Sequence, residues 1–295
     1  MHMHRKRVAC TALIAVALTA LSLAGSAAAK LVGPYEKFAQ CPFTNTEVKK
    51  CVDAVTESGE VILGSKTVPI EKQVVLQGGF GAANAEGMAT FFAATNGITL
   101  SKAAQNVPGG LLGIVPEAKQ PLLVKKLIKF FFENKITGLT STLELAKPVS
   151  EIKISEKHLA ERKGIALELP VKLHLENPFL GSNCYVGSST SPVTWKLTTG
   201  TTAPTAPNTA ITGSSGTSTF LEEGRIAEIK GVKLVDNNWS APAASGCGGI
   251  LSFLVNPIVN SQLGTTTAGH NTAILNNTIN VAARAAVNKN NEENP

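Results

Sequence analysis

The eleven residues IALELPVKLHL (165–175) put Ile165, Leu167, Leu169, Val171, Leu173 and Leu175 at every second position, with Ala166, Glu168, Pro170, Lys172 and His174 between them. Period two over this length specifies a strand with one buried face and one wet face. Pro170 lacks a ladder donor, so the strand is expected at a sheet edge or with a bulge there. Shorter alternations recur at Val68 and Ile70, Val74 and Leu76, Leu143 and Leu145, and Ile152 and Ile154. Further along come Val193, Trp195 and Leu197, then Val232 and Leu234, and finally Ala273, Leu275, Ile279 and Val281. Gly, Asn, Ser and Pro clusters such as LQGGFGAANAEG (76–87) and DNNWSAPAASG (236–246) separate them and read as turns. Many short strands without recurring strand–helix alternation predict a mainly β fold, an antiparallel sandwich or barrel-like architecture with a few short helices.

Three stretches carry a helical pattern instead. In CPFTNTEVKKCV (41–52), Thr44 and Glu47 fit a capping box, and Val48, Cys51, Val52 and Val55 share a helical stripe. In PLLVKKLIKFFFENK (121–135), Leu123, Val124, Leu127, Ile128, Phe130 and Phe131 lie opposite Lys125, Lys126, Lys129 and Glu133. That segregation fits a helix covering the β core, and also a helix at lipid headgroups; covering the core is favoured because any core-packed helix shows it. GGILSFLVNPIVNSQLG (248–264) is expected to be broken at Pro257 and otherwise buried. The Thr-rich stretch from Thr198 to Ser218 is too poor in apolar residues to pack and reads as a long surface loop. The β-rich region is expected over 30–287, with two subdomains divided near 140–150 as one arrangement, and 288–295 as a disordered tail.

The first 29 residues change the compartment and the charge. His4-Arg5-Lys6-Arg7 is a basic n-region, Val8 to Ala24 an apolar run, and Ser26-Ala27-Ala28-Ala29 a small-residue exit, so a secretory signal cleaved after Ala29 is expected in preference to a membrane anchor. Loss of Arg5, Lys6 and Arg7 lowers the formal net charge from +6 to +3. Three arginines then remain, Arg162, Arg225 and Arg284, and two tryptophans offer little stacking surface, so nucleic acid is not an expected partner.

Cleavage would also remove Cys10, leaving Cys41, Cys51, Cys184 and Cys247, an even number in a compartment where disulfides persist. We expect Cys41 paired with Cys51, and Cys184 with Cys247, the latter fastening the small-residue loops GSNCYVGSS and AASGCGG. Zinc is disfavoured by the lack of a C-x-x-C and by the distance in sequence of His158, His174 and His270 from every cysteine. A thiol nucleophile would require an unpaired cysteine.

Catalytic signatures are sparse. GEVILGSKT (59–67) approaches a phosphate-binding loop, but Ser65 stands where lysine should follow the second glycine, and the interior alternates like a strand. There is no G-x-S-x-G and no H-E-x-x-H, and after position 29 only Asp53 and Asp236 could serve an Asp-rich calcium loop. No cofactor is implied. A glycoside hydrolase needs two carboxylates in a cleft, and Glu144, Glu168, Glu176, Glu222 and Glu223 fall on or near β segments without a spacing that singles out a pair. His174 reads as a solvated strand residue beside Lys172.

CPFTNTEVKKCV, LQGGF, HLENPFLGSNCYVGSS, and SGCGG followed by AGHNTAILN together resemble a family of uncharacterised exported proteins of actinobacteria. The resemblance spans most of the chain after position 29 and includes its four cysteines; it implies export and a disulfide framework and names no substrate. The expectation is a secreted, non-catalytic, envelope-associated protein with a structural or binding role, its partner an envelope glycan or another extracellular protein. A secreted hydrolase ranks second, and membrane-surface contact through the Lys-rich segment third.

Overall fold

A computed structural model describes residues 30–110 and 138–294 together with the isolated positions 122 and 126. The expected signal sequence and most of the Lys-rich segment 121–135 lie outside the described residues. Fourteen strands follow in order: β1 (Lys50–Leu63), β2 (Lys66–Pro69), β3 (Val74–Ala83), β4 (Ala89–Phe92), β5 (Ala104–Asn106), β6 (Thr140–Leu145), β7 (Lys153–Ile154), β8 (Leu167–Glu176), β9 (Tyr185–Val186), β10 (Val193–Leu197), β11 (Ser214–Leu221), β12 (Ile226–Asp236), β13 (Ala244–Ser245) and β14 (Asn271–Ala283). The α-helices with described bounds are α1 (Glu156–Glu161), α2 (Ser252–Leu263) and α3 (Arg284–Glu293).

The pairings are antiparallel throughout and form one path, β11-β12-β14-β1-β3-β4-β7-β8-β6-β5, with β10 and β9 on the other side of β8, β13 on β9, and β2 on β1. The architecture is the expected one: an open antiparallel sheet folded sandwich-like, with a few short helices and two disulfides. One layer is built on β12, β14, β1 and β3, and the other on β8 and its neighbours, β4 carrying the chain from one to the other. Away from β4, Thr198 and Val235 exchange two backbone hydrogen bonds of 3.0 and 2.9 Å, tying the end of β10 to β12. The expected division near 140–150 falls on β6 and on the segment leading to β7, strands of this same sheet.

The alternation of 165–175 is realised in β8, where Leu167, Leu169, Val171, Leu173 and Leu175 are buried in the inter-sheet core. The strand is neither at an edge nor slipped in register at Pro170, contrary to expectation. It has β7 and then β6 along one side and β10 and then β9 along the other. Pro170 is tolerated because of where its nitrogen falls. In an extended strand a residue's N and O face the same side, and the Pro170 carbonyl accepts from Ala146 N–H at 3.0 Å, so the missing donor lies at the junction where β7 has ended and β6 is ending.

The helix expected from Thr44 is replaced by turns followed by the long strand β1. Asn45 Oδ1 accepts from Glu47 N–H at 2.9 Å, an Asx turn, and Lys50 begins thirteen pairings with β14. β1 is central and covered on both faces. Val52 enters the inter-sheet core, whereas Cys51 and Val48 enter a second cluster with Tyr35, Phe38, Phe43 and Ile226. A strand buried on both faces loses the period-two signature, and its valines then mimic a helical stripe. LQGGFG is likewise not a turn but the middle of β3. A Cβ on Gly79 would lie 2.7 Å from Val48 Cγ1, so the bare glycine lets Val48 pack flat on the strand.

Two further differences concern the C-terminal part. Residues 288–293, expected in a disordered tail, continue α3. Its Val287 is fully buried in the second cluster, and Asn290 and Asn291 accept from the N–H groups of Val32 and Lys30 at 3.0 Å each. The Thr-rich loop runs as irregular structure pinned by a Thr201–Thr212 bridge, and its end from Ser214 becomes β11.

Candidate functional site

The two layers do not fill the space between them. One apolar chamber left between them has a volume of about 70 Å³ and a second about 60 Å³. Ile70, Val74 and Leu143 line both, so the chambers are adjoining halves of one apolar interior. Ligand pockets in proteins typically measure about 300–1,000 Å³ and are lined mainly by apolar side chains, so these walls have the right chemistry but must part to admit a ligand of ordinary size. The inner chamber lies between Leu167 and Leu169 of β8 and Leu275 and Ile279 of β14. Its polar pair, Thr56 and Asn277, is self-satisfied: Thr56 Oγ1 donates to Asn277 Oδ1 at 2.7 Å, and Asn277 Nδ2 donates to Leu275 O at 2.8 Å.

The outer chamber ends at the β1–β2 hairpin and α2. Val61, Leu63 and Val68 line it from the hairpin, Val259, Gln262 and Leu263 from the helix, and Leu180 from the loop after β8. The hairpin and helix are fastened together, Ser65 N–H and Oγ bonding Leu263 O and Gln262 O at 2.7 Å each, and Gly64 N–H bonding Asn271 Oδ1 at 3.0 Å. Of the polar residues at this end, Gln105 is spent on the backbone of Glu71, Lys72 and Ala103. Lys66, itself half-buried, also lines the wall and has no ion-pair partner among the described residues.

Helix α2 is held as a rigid wall. The Cys184–Cys247 disulfide joins the stretch before β9 to the turn before α2, Gly248 N–H donates to Leu180 O at 2.7 Å, and Cys247 N–H donates to Asn256 Oδ1 at 2.9 Å. The other expected pair, Cys41–Cys51, also forms and pins the turn at 41–47 to β1. All four cysteines are thereby structural. Pro257 does not break α2. It is exposed, and the Phe253 carbonyl it leaves without a donor lies on the same outward side, where water can satisfy it. The helix is also not buried on its apolar side, since Ile250 is 95% and Phe253 70% exposed.

No protein-family model matches this chain, and neither a curated protein nor a solved structure matches it significantly.

The glutamates named as hydrolase candidates are dispersed. Glu144 on β6 is held by Lys102 and Lys172 at 3.1 and 3.3 Å, and Glu176 accepts from Thr142 Oγ1 at 2.9 Å on the outer face of β8. Glu168 sits opposite Lys153 and Lys196, while Glu222 and Glu223 lie in the β11–β12 turn, Glu223 paired with Arg225 at 2.9 Å. None of the five lines the inter-sheet chambers. His174 stacks on Tyr185 with ring centroids 4.4 Å apart, and Lys172 Nζ sits 4.1 Å from the same ring, a strip on the outer face of β8. Among the described residues, no cluster of three or more His, Cys, Asp or Glu could hold a metal, and no helix is long and apolar enough to cross a membrane.

Two aspartates, Asp53 half-buried and Asp236 buried, serve the frame. Burial pushes the Asp53 carboxyl above its ordinary range, against the hydrogen bond from Asn280 and the charge of Lys37. Burial likewise raises Asp236, against backbone N–H groups of Asn238 and Lys196 that it accepts at 3.0 and 2.7 Å.

Proposed function

We propose that this is a secreted, non-catalytic binding protein whose inter-sheet interior takes an amphiphile with a single hydrocarbon chain and an anionic head. The observation that carries the reading is the pair of adjoining apolar chambers with Lys66, which has no ion-pair partner among the described residues, on their wall; a chain entering them would spread the two layers apart. The walls supply only dispersion and burial, which suit a chain of methylenes at about 0.8 kcal/mol each. The cation gives orientation, since a carboxylate or phosphate head would meet Lys66 while the chain runs inward past Ile70, Val74 and Leu143. Two disulfides and an N-terminal stretch with signal-peptide patterning support an extracellular setting, where a sparingly soluble chain needs a carrier or sink.

Titration with a fluorescent fatty acid tests this. We expect one site per chain, displaced by unlabelled long-chain acids. Leu143→Trp, which fills the passage between the chambers, should abolish binding. Lys66→Gln should weaken the acid about tenfold while leaving a neutral long-chain alcohol unchanged, in keeping with the worth of a partly desolvated charge pair. Absence of saturable binding for every chain length would sink the reading, as would equal loss of acid and alcohol on Lys66→Gln.

A further inference from the structure

The outer face of α2 carries a second message. Ile250, Leu251, Phe253, Leu254 and Ile258 are half to almost fully exposed, and Phe179, in the loop whose Leu180 carbonyl bonds Gly248, adds a sixth large apolar side chain at 62% exposure. Six large exposed apolar side chains within one helix, the turn before it and the loop bonded to that turn are not the singly scattered hydrophobics of an ordinary surface. From Asn237 to Gly269 the chain contains no charged residue, so the patch is without charge along its whole helix. The opposite side of the same helix, through Val259 and Leu263, is the wall of the outer chamber.

We propose that this face docks the protein on a lipid bilayer, with Ile250, Phe253, Leu254 and Phe179 entering the acyl boundary. A second copy of the chain is the poorer occupant. Between two copies the same uncharged faces would meet without an ion pair to set their register. A bilayer imposes no shape requirement, and a face without charge enters it without burying an ion. Docking would set the outer chamber beside the membrane from which a single-chain amphiphile would be drawn. In that respect the inference rests on the proposed ligand, whereas the docking itself is measured separately.

The experiment is flotation of the chain lacking residues 1–29 with vesicles of phosphatidylcholine alone, and with added anionic phosphatidylglycerol, at low and high salt. We expect binding to both compositions, retained at high salt, and reduced at least about tenfold in the double variant Ile250→Ser/Phe253→Ser. Phe220→Ser, on edge strand β11 and also exposed, should bind as the parent does. Circular dichroism establishes that the double variant is folded, and its fluorescent fatty-acid affinity in vesicle-free solution should match the parent's. Absence of vesicle binding would overturn the proposal. So would binding restricted to anionic vesicles and lost in salt, which would assign contact to the lysines of 121–135. A concentration-dependent dimer that the double variant dissociates, with no vesicle binding, would assign the face to a second copy. If vesicles bind as expected while no fatty acid does, docking stands and the ligand reading fails.

Discussion

Asn260 of α2 grips both backbone groups of Ala244 on β13: its Oδ1 accepts from Ala244 N–H at 2.7 Å and its Nδ2 donates to Ala244 O at 3.0 Å. One side chain thus imitates a neighbouring strand and closes the end of the sheet against the helix. Both backbone groups sit at a buried residue, so their desolvation is compensated only while Asn260 is present. We expect Asn260→Ala to lower unfolding free energy by about 2–3 kcal/mol in urea titration. The same variant should expose 249–263 to limited proteolysis before global unfolding. Loss of stability without earlier cleavage there would disconnect this pair from the seating of α2.

The two disulfides should differ in worth, because they close loops of different length. Cys184–Cys247 spans 63 residues and Cys41–Cys51 spans 10. Chain entropy assigns about 4 kcal/mol to the longer and about 3 kcal/mol to the shorter at most. We expect Cys184→Ala/Cys247→Ala to lower Tm more than Cys41→Ala/Cys51→Ala, and to release α2 as Asn260→Ala does. A reversed order of Tm values would overturn the loop-length account.

Asp53 imposes a pH dependence with a definite sign. Its carboxyl titrates higher in the folded chain than in the unfolded one, so the folded state holds its proton more tightly, and stability falls as pH rises from the unfolded pKa through the folded one. Asp53→Asn removes that slope while keeping an acceptor for Asn280 Nδ2, which now reaches Asp53 Oδ1 at 3.4 Å. The variant should therefore gain on the parent as pH rises from below 4 toward neutrality. A constant difference across that range in parallel urea titrations would contradict the assignment.

The strands with one wet face were legible in the sequence, and the rest was hidden for identifiable reasons. β8 and β10 announce themselves because Glu168, Lys172 and Lys196 alternate with buried leucines and valines, and β14 because Ala273, Leu275 and Ile279 recur in phase. On β14, Asn277 is in phase with the apolar positions, and its bonds to Thr56 and to backbone carbonyls explain a buried amide there. β1 was concealed because Cys51 and Val52 are buried on opposite faces. In α2 the apolar residues surround the helix, and nothing local tells that Val259 and Leu263 turn inward while Phe253 and Leu254 face out; that choice is made by Asn256 and Asn260, which bond to Cys247 and Ala244 from elsewhere in the chain. Val287 is a single apolar residue in a polar tail, too weak a signal to announce that α3 docks. The interior chambers depend on how two distant layers fail to fill their shared space, which no window of sequence contains. Lys66 was in view, within GEVILGSKT, but that stretch fails as a phosphate loop and becomes the β1–β2 hairpin, where the lysine acquires another setting.

Gly59 and Gly231 separate two reasons for glycine in a strand. Both have positive φ, +134° and +71°, and both lie beside a slip in register, Gly59 in β1 after the shift between Thr56 and Ser58, Gly231 in β12 between Ile229 and Val232. A Cβ on Gly59 would run into the backbone carbonyl of Ile274 on β14, a strand that cannot withdraw without losing its ladder; a Cβ on Gly231 would meet nothing within 4 Å. Gly231→Ala therefore bears only the left-handed backbone cost, about 1 kcal/mol. Gly59→Ala bears backbone strain and a clash against main chain, together about 3–5 kcal/mol, and should shift the β1–β14 pairing on which both clusters of the core depend. Urea denaturation of the two variants decides it. Equal losses would mean that φ alone dictates both glycines and that β14 can yield at Ile274.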